Sequence, residues 1–107
     1  MRHGGKILVD QLEAQGVSAA FTVPGESFLA ALDGLHDAQS ITTVICRQEG
    51  GASMMAEAWG KMTGKPGVCF VTRGPGIANA MSGLHVAQQD STPMVLFVGL
   101  PGSEHED

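Results

Sequence analysis

The sequence predicts an α/β domain with a doubly wound, mostly parallel sheet and helices on both faces. Three observations predict it. Short apolar runs of strand type recur about every 25 residues, a spacing that leaves room for one crossover helix per strand. A segment of helical period separates each pair of runs. The runs are continuously apolar rather than alternating, the pattern of strands covered on both sides.

The elements come in a regular order. Residues 4–16, "GGKILVDQLEAQG", carry Leu8 and Leu12 at i,i+4 spacing and stop at Gly16, which predicts an amphipathic helix with glycine past its end. "AAFTV" (19–23) is a short apolar strand closed by Pro24 and Gly25. Ser27 is placed as the N-cap of a helix holding Phe28, Leu32 and Leu35. "TTVIC" (42–46) is a β-branched strand. Residues 49–63 repeat Ala52, Met55, Ala56 and Trp59 at helical spacing and end before Gly64. "GVCFVT" (67–72) is a strand, 75–89 a helix with Ile77, Met81 and Leu84, and "PMVLFVG" (93–99) the last strand.

Composition narrows the function classes. The chain has 107 residues, is 43% hydrophobic and only 16% charged. So small a domain exposes much surface, and this little charge implies that part of the surface meets another protein. A net charge of −5 argues against nucleic-acid binding, which needs a basic stripe. Part of that charge is a tail effect of Glu104, Glu106 and Asp107. Cys46 and Cys69 fall inside predicted buried strands, far from any CxxC spacing, and read as reduced core thiols. No apolar run has the length of a membrane span, and "MRHGGKILVDQ" lacks a signal-peptide core. A soluble, cytoplasmic chain is the expectation.

In open parallel sheets, ligands meet the carboxyl ends of the strands. The turns after the four strands are Pro24-Gly25-Glu26-Ser27, Arg47-Gln48-Glu49-Gly50-Gly51, Arg73-Gly74-Pro75-Gly76 and Gly99-Leu100-Pro101. Glycines in these turns let backbone approach a ligand closely. A phosphate fits poorly: there is no GKS or GKT, "GPGIAN" is not GxGxxG, and Pro75 removes one N–H. A neutral, nitrogen-bearing ring held by backbone and by Glu49 fits better. Glu49 at a helix start also complements the helix dipole, worth a few tenths of a kcal/mol. No histidine pair has ligand spacing, and His3, His36, His85 and His105 read as surface or core residues. Glu57 reads as a solvated helix residue, and Met54, Met55 and Trp59 as core or partner-helix packing.

"VPGESFLAALDGL", "CRQEGGASMMAEAWGKMTGKPGVCFVTRGPGIANA" and "QDSTPMVLFVG" together resemble the N-terminal, pyrimidine-binding domain of thiamine-diphosphate enzymes, in the acetolactate synthase-like branch. The likeness runs from about Gly4 to Gly99. It implies a flavodoxin-like domain in which Glu49 hydrogen-bonds N1′ of the aminopyrimidine. Such a bond is charge-assisted in a low-dielectric site. It favours the tautomer whose exocyclic nitrogen takes the thiazolium C2 proton, and the carbanion equivalent so formed attacks a 2-keto acid. The chemistry belongs to the cofactor, and the protein orients and tunes it.

By the same resemblance Pro24 and Gly25 lie against the pyrimidine or the substrate, although a plain βα turn would need the same residues. Thr72, Gly74 and Asn79 match a "TSGPGxxN" segment lining the ring, with Arg73 at a serine-like position; Asn79 could equally just pack its helix. Gln48 stands where many relatives have histidine, and Leu100 where glutamine is common. The GDG…N motif that binds diphosphate and magnesium is missing, so residues 1–107 read as a pyrimidine-binding domain lacking its C-terminal part, with no diphosphate-binding domain and no metal ligands. FAD, carried by some relatives in a middle domain, is not supported by this segment.

Two functions remain open. One is the cofactor-activating half of a thiamine-diphosphate-dependent lyase or transferase of 2-keto acids, inactive by itself. Its site would be completed by the diphosphate-binding domain of another subunit in a homodimer or tetramer. The other is a non-catalytic α/β module that binds a partner subunit.

Overall fold

The computed structural model describes residues 2–100; the tail acids, His105 and the "PGSEHED" continuation lie outside them. Helix α1 (Gly4–Ala14) leads to β1 (Ala19–Thr22), a 3₁₀ turn (Glu26–Phe28) and α2 (Leu29–Asp37). Then come β2 (Thr42–Ile45), α3 (Glu49–Thr63), β3 (Gly67–Val71), α4 (Pro75–Asp90) and β4 (Met94–Val98). All four strands are parallel, in the order β2-β1-β3-β4.

The two central strands explain the continuous apolar runs. Successive side chains of a strand point to opposite faces. Ala20, Val68 and Phe70 turn to the side of α1 and α2, where Val9, Phe28, Leu35 and Ile41 meet them. Ala19, Phe21, Cys69 and Val71 turn to the other side, against Ala52 and Ala56 of α3 and Ala80 of α4. Both faces being covered, β1 and β3 are buried at every position. Phe70 stacks between Phe28 and Phe97, with ring centroids 6.0 and 4.8 Å away.

Helix ends obey local chemistry. The His3 Nδ1 accepts the Lys6 backbone N–H at 3.1 Å and caps α1, and its Nε2 lies 2.8 Å from Asp33. Gly64, just past α3, takes φ +72°, the left-handed C-terminal position that glycine fills without a Cβ penalty.

Four expectations need correction. Ser27 does not cap a helix: it lies within the 3₁₀ turn and its hydroxyl is 2.7 Å from that of Thr72. A tertiary partner has replaced the local one. The strand at 42–45 is a half-exposed edge strand, because β1 alone flanks it. Cys46 comes directly after it and is only partly buried, whereas Cys69 is fully buried. Glu57 is not solvated. It is 6% exposed, accepts the Thr92 hydroxyl at 2.6 Å and meets the Lys61 ammonium at 3.3 Å, so a buried carboxylate ties α3 to the turn before β4. Met54 and Met55 are exposed, while Trp59 is half-buried, 6.1 Å from the Phe21 ring.

The stacked aromatic core sets the first prediction. Phe70 is 2% exposed, so Phe70→Ala should cost about 3–5 kcal/mol of unfolding free energy. Met62 is 86% exposed, and Met62→Ala should stay within about 0.5 kcal/mol. Urea denaturation followed by circular dichroism measures both; equal losses would refute this account of the core.

Candidate functional site

The strand order fixes where a ligand could enter. The chain leaves β1 for β2 on one side, then crosses to β3 on the other side of β1. At such a reversal the loops after the two central strands diverge and open a crevice at the carboxyl edge. Here an open depression of about 410 Å³ is lined by Gly25, Glu26, Ser27, Thr72, Arg73, Gly74 and Pro75.

Thr72 is its anchor. A Cβ on Gly25 would stand 2.7 Å from the Thr72 Cβ, and one on Gly76 would stand 2.8 Å from its Cγ2. Neither fits without movement, so two glycines let the turns close around this side chain. Ser27 ties a third turn in. Its hydroxyl meets that of Thr72 and also fills the space where a Cβ of Gly99 would be. Gly74, with φ +62°, makes the bend that places Pro75 in the first turn of α4, and a side chain there would be strained.

A second group forms where α3 and α4 begin. Glu49 opens α3 shortly after β2 and is half-buried. Gln48 caps the helix, its Oε1 accepting from the backbone N–H groups of Gly50 and Gly51 at 2.5 and 3.3 Å. The Asn79 side-chain amide, from α4, donates to Glu49 Oε1 at 3.1 Å. Among the described residues no lysine, arginine or histidine pairs with Glu49. Its carboxylate is therefore held by a neutral donor, with no described cation within ion-pair distance.

The candidate residues thus divide in two. Gly25, Thr72 and Gly74 line the depression, and Glu49 and Asn79 touch each other across the helix pair. Pro24 is exposed and lines neither. The sequence places Ser27 at this edge by its position after β1 but reads it as a helix cap; its contact with the Thr72 hydroxyl, 45 residues away, carries no local sequence signal. A larger depression, about 490 Å³ beside Gly16, Trp59 and Lys65, lies at the opposite, amino edge and includes none of the candidates. Among the described residues no three His, Cys, Asp or Glu side chains converge as metal ligands, and no helix is long and apolar enough to cross a membrane.

Residues 2–107 match the family model "Thiamine pyrophosphate enzyme, N-terminal TPP binding domain". The chain belongs to this family. Its acetolactate synthase-like character is equally plain. It is 42% identical over 98 residues to the chloroplastic acetolactate synthase of Arabidopsis thaliana, covering 92% of this chain and 15% of that protein. It is 42% identical over 97 residues to the catabolic acetolactate synthase of Raoultella terrigena, covering 91% and 17%. With the acetolactate synthase of Bacillus subtilis (strain 168) it shares 41% identity over 96 residues, covering 90% and 17%. The chain therefore spans 15 to 17% of the length of these curated relatives. Membership of the thiamine-enzyme family agrees with the parallel α/β sheet and its helices. Chloroplastic and mitochondrial enzymes occur among the relatives, so family membership does not fix a compartment.

The core beneath this edge yields the second prediction. Burial, first, and then the charges of Cys46 and Glu49 push the Cys69 thiol up to about 12 from an ordinary value of 9.0. The folded chain then holds a proton that the unfolded chain releases as pH rises through about 9. This stabilisation is complete below that point and is lost towards pH 12. Stability should fall more steeply between about pH 8 and pH 10 in the wild type than in Cys69→Ala, as read from urea midpoints. At about pH 8 a thiol reagent should label Cys46 and spare Cys69 until the chain unfolds. Equal labelling of both thiols in the folded chain would contradict the burial.

Proposed function

We propose that this chain is the pyrimidine-binding half of a thiamine-diphosphate-dependent enzyme acting on 2-keto acids, by acetolactate synthase-like carboligation or by decarboxylation. The observation that carries this reading is the state of Glu49: half-buried, uncompensated by any described cation, and bound by Asn79 through one oxygen only. The other oxygen, Oε2, is then available to a ring nitrogen. Thiamine diphosphate, when bound, would supply nucleophilic carbon chemistry towards a 2-keto acid. Glu49 holds a proton at N1′ of the aminopyrimidine, because a carboxylate stabilises the protonated nitrogen as no neutral acceptor can. Gly25 and Gly74 leave backbone uncovered beside Thr72, where a flat ring can approach.

Among the described residues no three His, Cys, Asp or Glu side chains converge as metal ligands; on this reading the diphosphate and magnesium would be held by the diphosphate-binding domain of another subunit. The outer faces of α3 and α4 suit such a partner. Met54, Met55, Ile77 and Met81 are exposed along these two helices, and large apolar side chains left in water favour burial against a partner. A homodimer or tetramer is the assembly this reading implies.

The test is Glu49→Gln in the enzyme that carries this domain. Fold and assembly should survive, since a residue in the first helical turn contributes about 1 kcal/mol or less through the dipole. Turnover should fall by a factor on the order of 10² to 10⁴, the usual worth of a positioned proton-transfer group. A non-catalytic module docking a partner through the same helices predicts no change. Turnover near wild type would sink the proposed function.

A further inference from the structure

Asn79 was expected on family resemblance to line the cofactor ring. Its amide donates to Glu49 Oε1 at 3.1 Å, an interaction between residues thirty positions apart. Three features make this contact specific. The backbone N–H groups of Gly50 and Gly51, which a glutamate in the first turn could turn back to, are already taken by Gln48 Oε1. No charged side chain among the described residues competes for the carboxylate. Gly50 brings the two helices close, since a Cβ there would stand 3.3 Å from the Asn79 carbonyl oxygen.

We propose that Asn79 is a positioning residue. It fixes Glu49 in one rotamer by engaging Oε1, so that Oε2 is the oxygen presented to the cofactor nitrogen. This deepens the proposed function and rests on it. A glutamate side chain has three rotatable bonds, and a free one samples many orientations at a cost in rotamer entropy when it must bind. A neutral amide restrains it without cancelling the charge on which the bond to the ring depends. An arginine in the same place would form a bidentate pair and compete for both oxygens. Asn79 acts through Glu49, not on the ring, and that separates this reading from a ring-lining role.

Two measurements test it, the first without any cofactor. In the chain carrying ¹³C-labelled glutamate side chains, Glu49 should be ordered in the wild type. In Asn79→Ala and in Asn79→Asp its side-chain order parameter should fall below about 0.6, the flexible range, with the backbone signals of α3 and α4 in place. Asp keeps the shape of Asn and replaces the donor with a like charge, so both variants should free Glu49. In the assembled enzyme, Asn79→Ala should lower the rate of thiazolium C2 hydrogen exchange by about 10-fold or more while leaving thiamine diphosphate affinity within about 3-fold. Undiminished order of Glu49 in both variants would overturn the proposal. So would a loss of cofactor affinity with unchanged exchange, which is the signature of a ring contact. Failure of the broader reading looks different: Glu49→Gln would then leave turnover intact even though Asn79 orders Glu49 in the free chain.

Discussion

Gly83 of α4 lies so close to α3 that a Cβ on it would collide with the Ser53 hydroxyl and with backbone between Ser53 and Met54. This small-residue contact sets the distance between the two helices, and the candidate site depends on that distance. Ser53 is fully buried and donates to the Gly50 carbonyl at 3.2 Å. Gly50 in turn approaches the Asn79 carbonyl. With the helices held at this separation, a side chain as short as asparagine reaches across to Glu49. Even one added methyl at Gly83 would force the pair apart or distort it, since packed interiors do not absorb such volume freely.

The same logic operates around Thr72. The turns after β1, β3 and β4 converge there because Gly25, Gly76 and Gly99 leave room for the side chains of Thr72 and Ser27. Each turn brings little chemistry of its own. Together they make a carboxyl edge with two parts, a depression lined by backbone and hydroxyls and a carboxylate held at the helix pair.

Much of the fold was legible because β1 and β3 are covered on both faces and therefore apolar at every position. Element order and the parallel class could be read from that. Strand order could not, and its absence explains the misplacement of β2: "TTVI" has the β-branched composition of a buried strand yet lies at the sheet's edge. Ser27 carried a good local capping signal that the hydroxyl of Thr72, 45 residues away, outcompetes. Glu57 reads as solvated by its charge alone, although it shares a helical stripe with Ser53, Ala56 and Gly60, all buried. Of the site, Glu49 could be singled out from its place after a strand and before Gly50-Gly51. Its contact with Asn79 could not, because only the packing of α3 on α4 joins residues 49 and 79. Pro24, at the same edge, is exposed and is not among the residues lining the depression.

The central claim is that the Glu49 carboxylate holds a proton at the ring nitrogen. Thiamine diphosphate labelled with ¹⁵N at N1′ and bound to the assembled enzyme reports on that atom directly. In the wild type the N1′ resonance should move from its free-solution position towards that of a protonated, strongly hydrogen-bonded pyrimidine nitrogen. In Glu49→Gln, with the cofactor still bound, it should return towards the value of the neutral ring. An N1′ resonance that is the same in both proteins would show that Glu49 does not hold this proton, and the account of the site would be wrong.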